Sequence, residues 1–269
     1  MTRRAARPRP LLVAEVLGLG GLLMGGALLA GPGGASLAAR PAGTVPAPRS
    51  MPSPPSPAAG AATTPRQHDI SALDRNLITA ASMGDLELVR RLLTAGASPR
   101  SVDERGRSAL LAAVYQRHGD VAAALVHAGA DVNHKDRDAN SAFLLAAATG
   151  QLSVVRVAID RGGADLRSTD RYRGTALTAA CQHGDREMVK LLLRAGVPVD
   201  HVNALGWTPL LEAIVLGDGS ARYEEVVQLL IDAGADANLA DHDGVTPTRH
   251  ARERGYKTMV KTLMRARGH

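Results

Sequence analysis

From about residue 70 onward the chain repeats itself, and that property restricts its fold more than any other. The marker is a glycine followed by a small residue: Gly96-Ala97, Gly129-Ala130, Gly162-Gly163-Ala164, Gly196-Val197 and Gly234-Ala235. Successive glycines are 33, 33, 34 and 38 residues apart. A period near 33 holds one supersecondary unit but not a domain with a closed core of its own. Units of that size bury apolar surface only by stacking on their neighbours, so a solenoid is expected rather than a single globule.

Two helical patterns alternate within each period. The first is short and rich in small residues: Ser108-Ala-Leu-Leu-Ala-Ala113, Ser141-Ala-Phe-Leu-Leu-Ala-Ala147, Thr175-Ala-Leu-Thr-Ala-Ala180, Thr208-Pro-Leu-Leu-Glu-Ala213 and Thr246-Pro-Thr-Arg-His-Ala251. The second places apolar residues at helical spacing, as in Leu88-Val89 with Leu92-Leu93 or Val226-Val227 with Leu229-Leu230-Ile231. Ser or Thr caps the first helix, and Pro209 and Pro247 fall in its first turn, where no N–H is needed. The alanine pairs let two helices approach closely. The glycine after the second helix permits the left-handed turn that ends it. Asp, Asn and Gly then bend the chain through a hairpin-like finger. The expected fold class is therefore all-α, with about six units starting near residues 70, 103, 136, 170, 203 and 241.

These residues resemble the ankyrin repeat. Thr208-Pro-Leu-Leu-Glu-Ala213 and Gly234-Ala-Asp-Ala-Asn238 are close to that family's helix and turn motifs, and Gly129-Ala-Asp-Val-Asn133 matches fully. The resemblance covers about 200 residues and extends to exported bacterial members of the family, through the leader, the Pro-rich segment and units such as Leu205 to Ala213. It implies a protein partner held by finger tips and by the exposed side of the first helices. Carried over unit by unit, the candidate contact residues are Glu104, Arg105, Arg107, Tyr115 and Gln116, then Arg137, Asp138 and Asn140. Arg171, Tyr172, Gln182 and His183 follow in the fourth unit, Leu205 and Trp207 in the fifth, His242 and Asp243 in the sixth. Tyr172 and Trp207 stand out, because aromatic residues beside Arg make interface hot spots. The competing role for Trp207 is packing between neighbouring fingers.

Charge sorts the chain into regions. The formal net charge is +6, and residues 1–66 account for all of it with seven Arg against Glu15 alone. The repeats balance to zero, which removes the argument for a nucleic-acid footprint spread over the whole domain. Within them the body is acidic and the last unit basic, with Arg249, Arg252, Arg254, Lys257 and Lys261. Thr248, Arg249, Arg252 and Thr262 replace Leu210, Leu211, Ile214 and Leu229 of the unit before, so the last unit is expected to turn those positions toward water.

The first 39 residues have the layout of a secretory signal peptide: basic residues 2–10, an apolar run from Leu11 to Ala30, then small residues that suit cleavage after Ala38 or Ala39. An uncleaved inner-membrane anchor over 11–30 is the alternative. Arg3-Arg4 hints weakly at the twin-arginine route. Residues 40–66 carry eight of the fifteen prolines and too few apolar side chains for a core, so a disordered linker is expected. The ankyrin domain is placed at 67–269.

Few residues suggest chemistry. Cys181 is the sole cysteine, which excludes an internal disulfide and a multi-cysteine zinc site, and a small buried thiol is expected there. Nine His are present, but no HExxH motif, triad order or Gly-rich phosphate loop can be assembled around them. No catalytic residue, cofactor or metal is accordingly expected. Asp218-Gly219-Ser220 offers one carboxylate, too few for calcium, so the Gly217–Glu225 insertion is expected to be a surface loop. Glu212 lies on the core side and shares its register with His250, which suggests a Glu212–His250 contact between stacked units. The function expected is a non-catalytic, monomeric protein-binding scaffold in the bacterial envelope, periplasmic, with a protective or stress-related role that the resemblance alone implies. The alternatives are a secreted effector binding host proteins, a hydrolase or lyase built on the groove, and anionic polymer or lipid binding at the basic cap.

Overall fold

The computed structural model describes residues 70–266. Contacts divide the chain between residues 62 and 63, and every described residue belongs to the unit 63–269. The expected signal peptide and linker lie outside the described residues.

Six helix pairs follow one another. They are α1 (Ala72–Met83) with α2 (Leu86–Thr94), α3 (Ala109–Tyr115) with α4 (Gly119–His127), and α5 (Ala142–Ala148) with α6 (Leu152–Asp160). Then come α7 (Ala176–Gln182) with α8 (Arg186–Ala195), α9 (Pro209–Val215) with α10 (Ala221–Asp232), and α11 (Pro247–Glu253) with α12 (Lys257–Ala266). First helices stack on first helices and second on second, so the chain is a two-layer solenoid.

The caps explain where the helices start. Ser71, Ser108, Ser141, Thr175, Thr208 and Thr246 each accept a hydrogen bond from the backbone N–H three residues on. Pro209 and Pro247 occupy the first helical positions, as their missing N–H allows. Two of the second helices, α2 and α8, begin behind Asp85 and Asp185, whose carboxylates accept from Leu88 N at 2.9 Å and Met188 N at 3.1 Å. Gly196 ends α8 at φ 91°, a conformation that costs a side chain about 1–2 kcal/mol. The third unit departs from the pattern. Its left-handed residue is Gly163, not Gly162, at which a Cβ would meet Val132 Cγ1 at 2.7 Å and the Ala158 carbonyl at 2.9 Å. Gly162 is there for close approach, Gly163 for the turn.

One continuous apolar core runs through all six pairs, built from Leu, Val, Ile and Ala with Phe143 the one phenylalanine in it. Two expectations need correction. Thr248 does not face water; it is 1% exposed, and its hydroxyl has no hydrogen-bond partner. No unit stacks beyond it among the described residues, so the preceding unit and α12 must bury it; Arg249 and Arg252 are exposed as expected. The Gly217–Glu225 insertion is also more than a surface loop. Only its first residues turn; from Ala221 it lengthens α10 to 12 residues. Tyr223 is buried against Gly184 and Gly217 and donates its hydroxyl proton to the Gln182 carbonyl at 2.9 Å. The next unit repeats the device, with the Tyr256 hydroxyl on the Gly217 carbonyl at 2.9 Å.

Candidate protein-binding surface

Five fingers link the units, and each turns on one side-chain oxygen. Asp103 Oδ1 accepts from the backbone N–H of Arg105 and of Arg107, both at 2.8 Å. Asp136 does the same for Asp138 and Asn140, Asp170 for Tyr172 and Gly174, Asn203 for Leu205 and Trp207, and Asp241 for Asp243 and Val245. An acceptor on a short side chain closes such a turn without help from the core. Adjacent fingers are stitched together by Arg137 N on the Arg105 carbonyl at 3.2 Å and Ala204 N on the Tyr172 carbonyl at 2.9 Å. His134 and His201 reach the carbonyls of Gly106 and Arg173 in the preceding finger.

This scaffold divides the candidate contact residues into two groups. Arg105, Arg137, Asp138, Arg171, His183, His242 and Asp243 are exposed, as are Glu104 and Gln116. Tyr172, Leu205 and Trp207 are half-buried, and the apolar core does not take them in. Arg171 lies over the Tyr172 ring at 5.1 Å, a cation–π contact that presents both outward. The second group is tied into the fold. Arg107 is committed to Asp103 through Nε at 3.0 Å and Nη2 at 2.9 Å. Tyr115 donates to Asp136 Oδ2 at 2.8 Å and accepts from Asn140 Nδ2 at 2.9 Å, joining its helix to the next finger. Burial and the Asp136 carboxylate push the Tyr115 hydroxyl up to about 12.

The expected Glu212–His250 contact does not form. Each residue turns instead to its own finger: Asn203 Nδ2 donates to Glu212 Oε2 at 3.3 Å, and His250 Nε2 lies 2.7 Å from Asp241 Oδ2. The reason is distance along the chain. In both units the residue nine positions after the finger's turn residue lies within hydrogen-bond reach of it. Glu212 is 2% exposed, and desolvation raises its pKa to about 8; the Asn203 amide opposes the rise and Asp170 adds to it. At neutral pH it is therefore mainly a neutral acid. Burial also acts to raise Asp241, but the hydrogen bonds from His250 and the Val245 and Asp243 amides outweigh it and hold Asp241 below the usual range.

Cys181 is fully buried, as its place in the alanine pair implied, and burial with nearby Glu212 pushes its thiol well up. Among the described residues no three His, Cys, Asp or Glu side chains group so as to hold a metal ion. No described helix is long and apolar enough to cross a membrane.

A groove of about 1070 Å³ opens over the first three units. Ile70, Ile78, Val102 and Ala112 line it with Arg75, Arg105, Arg107, Arg137, Tyr115 and Gln116. Sequence reasoning missed the contribution of the first unit. Residues 70–82 precede the first finger, so they carry no finger motif, though Arg75 and Ile78 follow each other at the one-turn spacing that puts them on one helix face.

With this geometry in hand, the relatives can be placed. The family model for ankyrin repeats in three copies matches residues 67–136 and 143–241. YahD of Escherichia coli strain K12, described as an ankyrin repeat protein, is 38% identical over 198 residues, which span 73% of this chain and 98% of YahD. An ankyrin repeat domain of Acinetobacter baumannii AYE has 47% identity and a TM-score of 0.69, over 71% of this chain and 96% of that one. The ankyrin repeat domain of Bcl-3, described as a unique member of the IkappaB family, has 30% identity and a TM-score of 0.62, covering 71% and 85%. Stacked helix pairs, Asx-closed fingers and these matches lead to one conclusion: the chain belongs to the ankyrin repeat family.

Proposed function

We propose that the chain is a non-catalytic protein-binding scaffold, exported to the bacterial envelope and working in the periplasm as a protective or stress-related factor. The observation that carries the binding reading is the row of finger tips. Arg105, Arg137 and Arg171 project without an ion pair among the described residues, and Leu205 and Trp207 stand outside the core. The fingers close on their own Asp and Asn residues, and the Arg105, Arg137 and Arg171 guanidiniums take no part in those turn bonds. Trp and Arg side chains at a protein surface carry most of the energy in many interfaces.

The non-catalytic reading is supported by the state of the most reactive groups. The Cys181 thiol is buried and raised, the opposite of an activated nucleophile. Glu212 is sealed beneath Asn203, away from solvent. Export and the periplasmic address rest on the leader sequence, and the bacterial setting on the similarity to Escherichia coli and Acinetobacter proteins.

Affinity capture from an envelope fraction, with the full chain as bait, tests the binding reading. A partner retained by the chain and lost with Trp207→Ala is expected; enrichment no better than with an unrelated ankyrin protein would end the proposal. N-terminal sequencing of the protein recovered from the periplasm should begin at Ala39 or Arg40. Recovery of the intact chain from the membrane pellet would replace export with anchoring.

A further inference from the structure

We infer that the groove over the first three units takes an extended, acidic peptide segment of a partner, with carboxylates on Arg105 and Arg137 and apolar side chains on the floor below. This deepens the scaffold reading and rests on it. The volume, about 1070 Å³, reaches the upper end of small-molecule sites and suits a stretch of polypeptide. Ile70, Ile78, Val102 and Ala112 supply its apolar lining, and Arg75, Arg105, Arg107 and Arg137 its basic lining.

The charges on the rim decide the occupant. Four Arg line the groove against Asp103 and Glu104. The Asp103 carboxylate is consumed by Arg107 and by two turn amides. Arg75 donates through Nη1 to the Ile70 carbonyl at 2.7 Å, which fixes it at the groove's N-terminal end. Arg105 and Arg137 sit on adjacent fingers joined by the Arg137 N–H to Arg105 carbonyl bond, and neither guanidinium has an ion pair among the described residues. Two unpaired guanidiniums on neighbouring fingers each offer a fork of donors that fits a carboxylate. The chain's own residues 40–66 are the nearest competing occupant by sequence. They carry Arg40, Arg49 and Arg66 and no acid, so they lack the carboxylates that Arg105 and Arg137 call for.

The test uses the full chain and a fluorescein-labelled peptide of alternating Glu and Leu, read by fluorescence anisotropy, beside a Lys–Leu peptide of equal length. The Glu–Leu peptide is expected to bind, to weaken as salt rises, and to lose roughly tenfold or more in affinity with Arg105→Glu/Arg137→Glu. Arg105→Gln/Arg137→Gln should lie between, and Arg90→Glu/Arg194→Glu, at exposed positions on second helices outside the groove, should match the wild type. Circular dichroism melting shows whether each variant is folded, and the Gln pair decides the matter if the Glu pair is not. Equal binding of the two peptides, or wild-type affinity in both groove variants, would overturn the inference. A partner still captured by those variants but lost with Trp207→Ala would leave the scaffold reading standing while this one falls.

Discussion

The fifth and sixth units use one backbone turn and opposite chemistry. In both, the turn residue caps two finger amides with Oδ1 and offers its remaining atom to a side chain nine positions later. In the fifth unit that atom is an amide nitrogen facing buried Glu212; in the sixth it is a carboxylate oxygen facing His250. Donor and acceptor have exchanged places together. The repeat dictates the turn, and each unit's own pair then sets how it responds to protons.

Breaking the pair at Glu212 should have the largest effect. Its pKa is raised when folded, so the stabilisation is complete below the unfolded value near 4.5 and is lost as pH climbs toward about 8. Each pH unit in that window costs about 1.4 kcal/mol. Glu212→Gln keeps an acceptor for Asn203 and cannot ionise. It should match wild type at pH 4 and exceed it by about 3–4 kcal/mol at pH 7 in urea denaturation. A parallel pair of curves from pH 4 to 9 would show that Glu212 ionises freely.

The sixth unit should slope the other way. Asp241 is held below its ordinary value, so its contribution is present above about pH 4 and is lost as pH falls further. Asp241→Ala removes two turn bonds and the His250 contact and should cost about 2 kcal/mol. Asp170→Ala removes the same two turn bonds beside Gly174 and also relieves Glu212 of a neighbouring charge. It should cost less by about 1 kcal/mol, and equal losses would mean that His250 adds nothing.

Finger tips set a third contrast. Trp207→Ala in the fifth should change the unfolding free energy by no more than about 0.5 kcal/mol while partner capture falls at least about tenfold. A large drop in stability would instead make Trp207 a spacer between fingers. The smallest effect concerns backbone. Ala139 and Arg173 occupy φ near 60° where other fingers have Gly106, Gly206 and Gly244. Ala139→Gly should stabilise by about 0.5–1 kcal/mol, and a loss on calorimetry would mean that the Ala139 methyl makes contacts outweighing the strain.

Most of the fold was legible because it is local. Period, caps and glycine turns are set within one unit, and each unit repeats the message. The contact surface was legible only by position. Arg105, Arg137 and Arg171 proved exposed, but Arg107 and Tyr115 are held by Asp103 and by Asp136 with Asn140. Nothing in the spacing of Tyr115 and Asp136, 21 residues apart, announces that bond.

The sequence by itself determined the stacking of helix pairs, five of the six Ser or Thr caps and the buried thiol of Cys181. These follow from side-chain size, hydrogen-bonding capacity and a period that leaves no other way to bury apolar surface. Tertiary structure alone decided that Glu212 faces Asn203, that Thr248 is sealed in the last unit, and that Arg75 shares a groove with Arg137. Each depends on which unit's side chain reaches a given point first. That is a matter of distance across stacked helices, which a linear order does not contain.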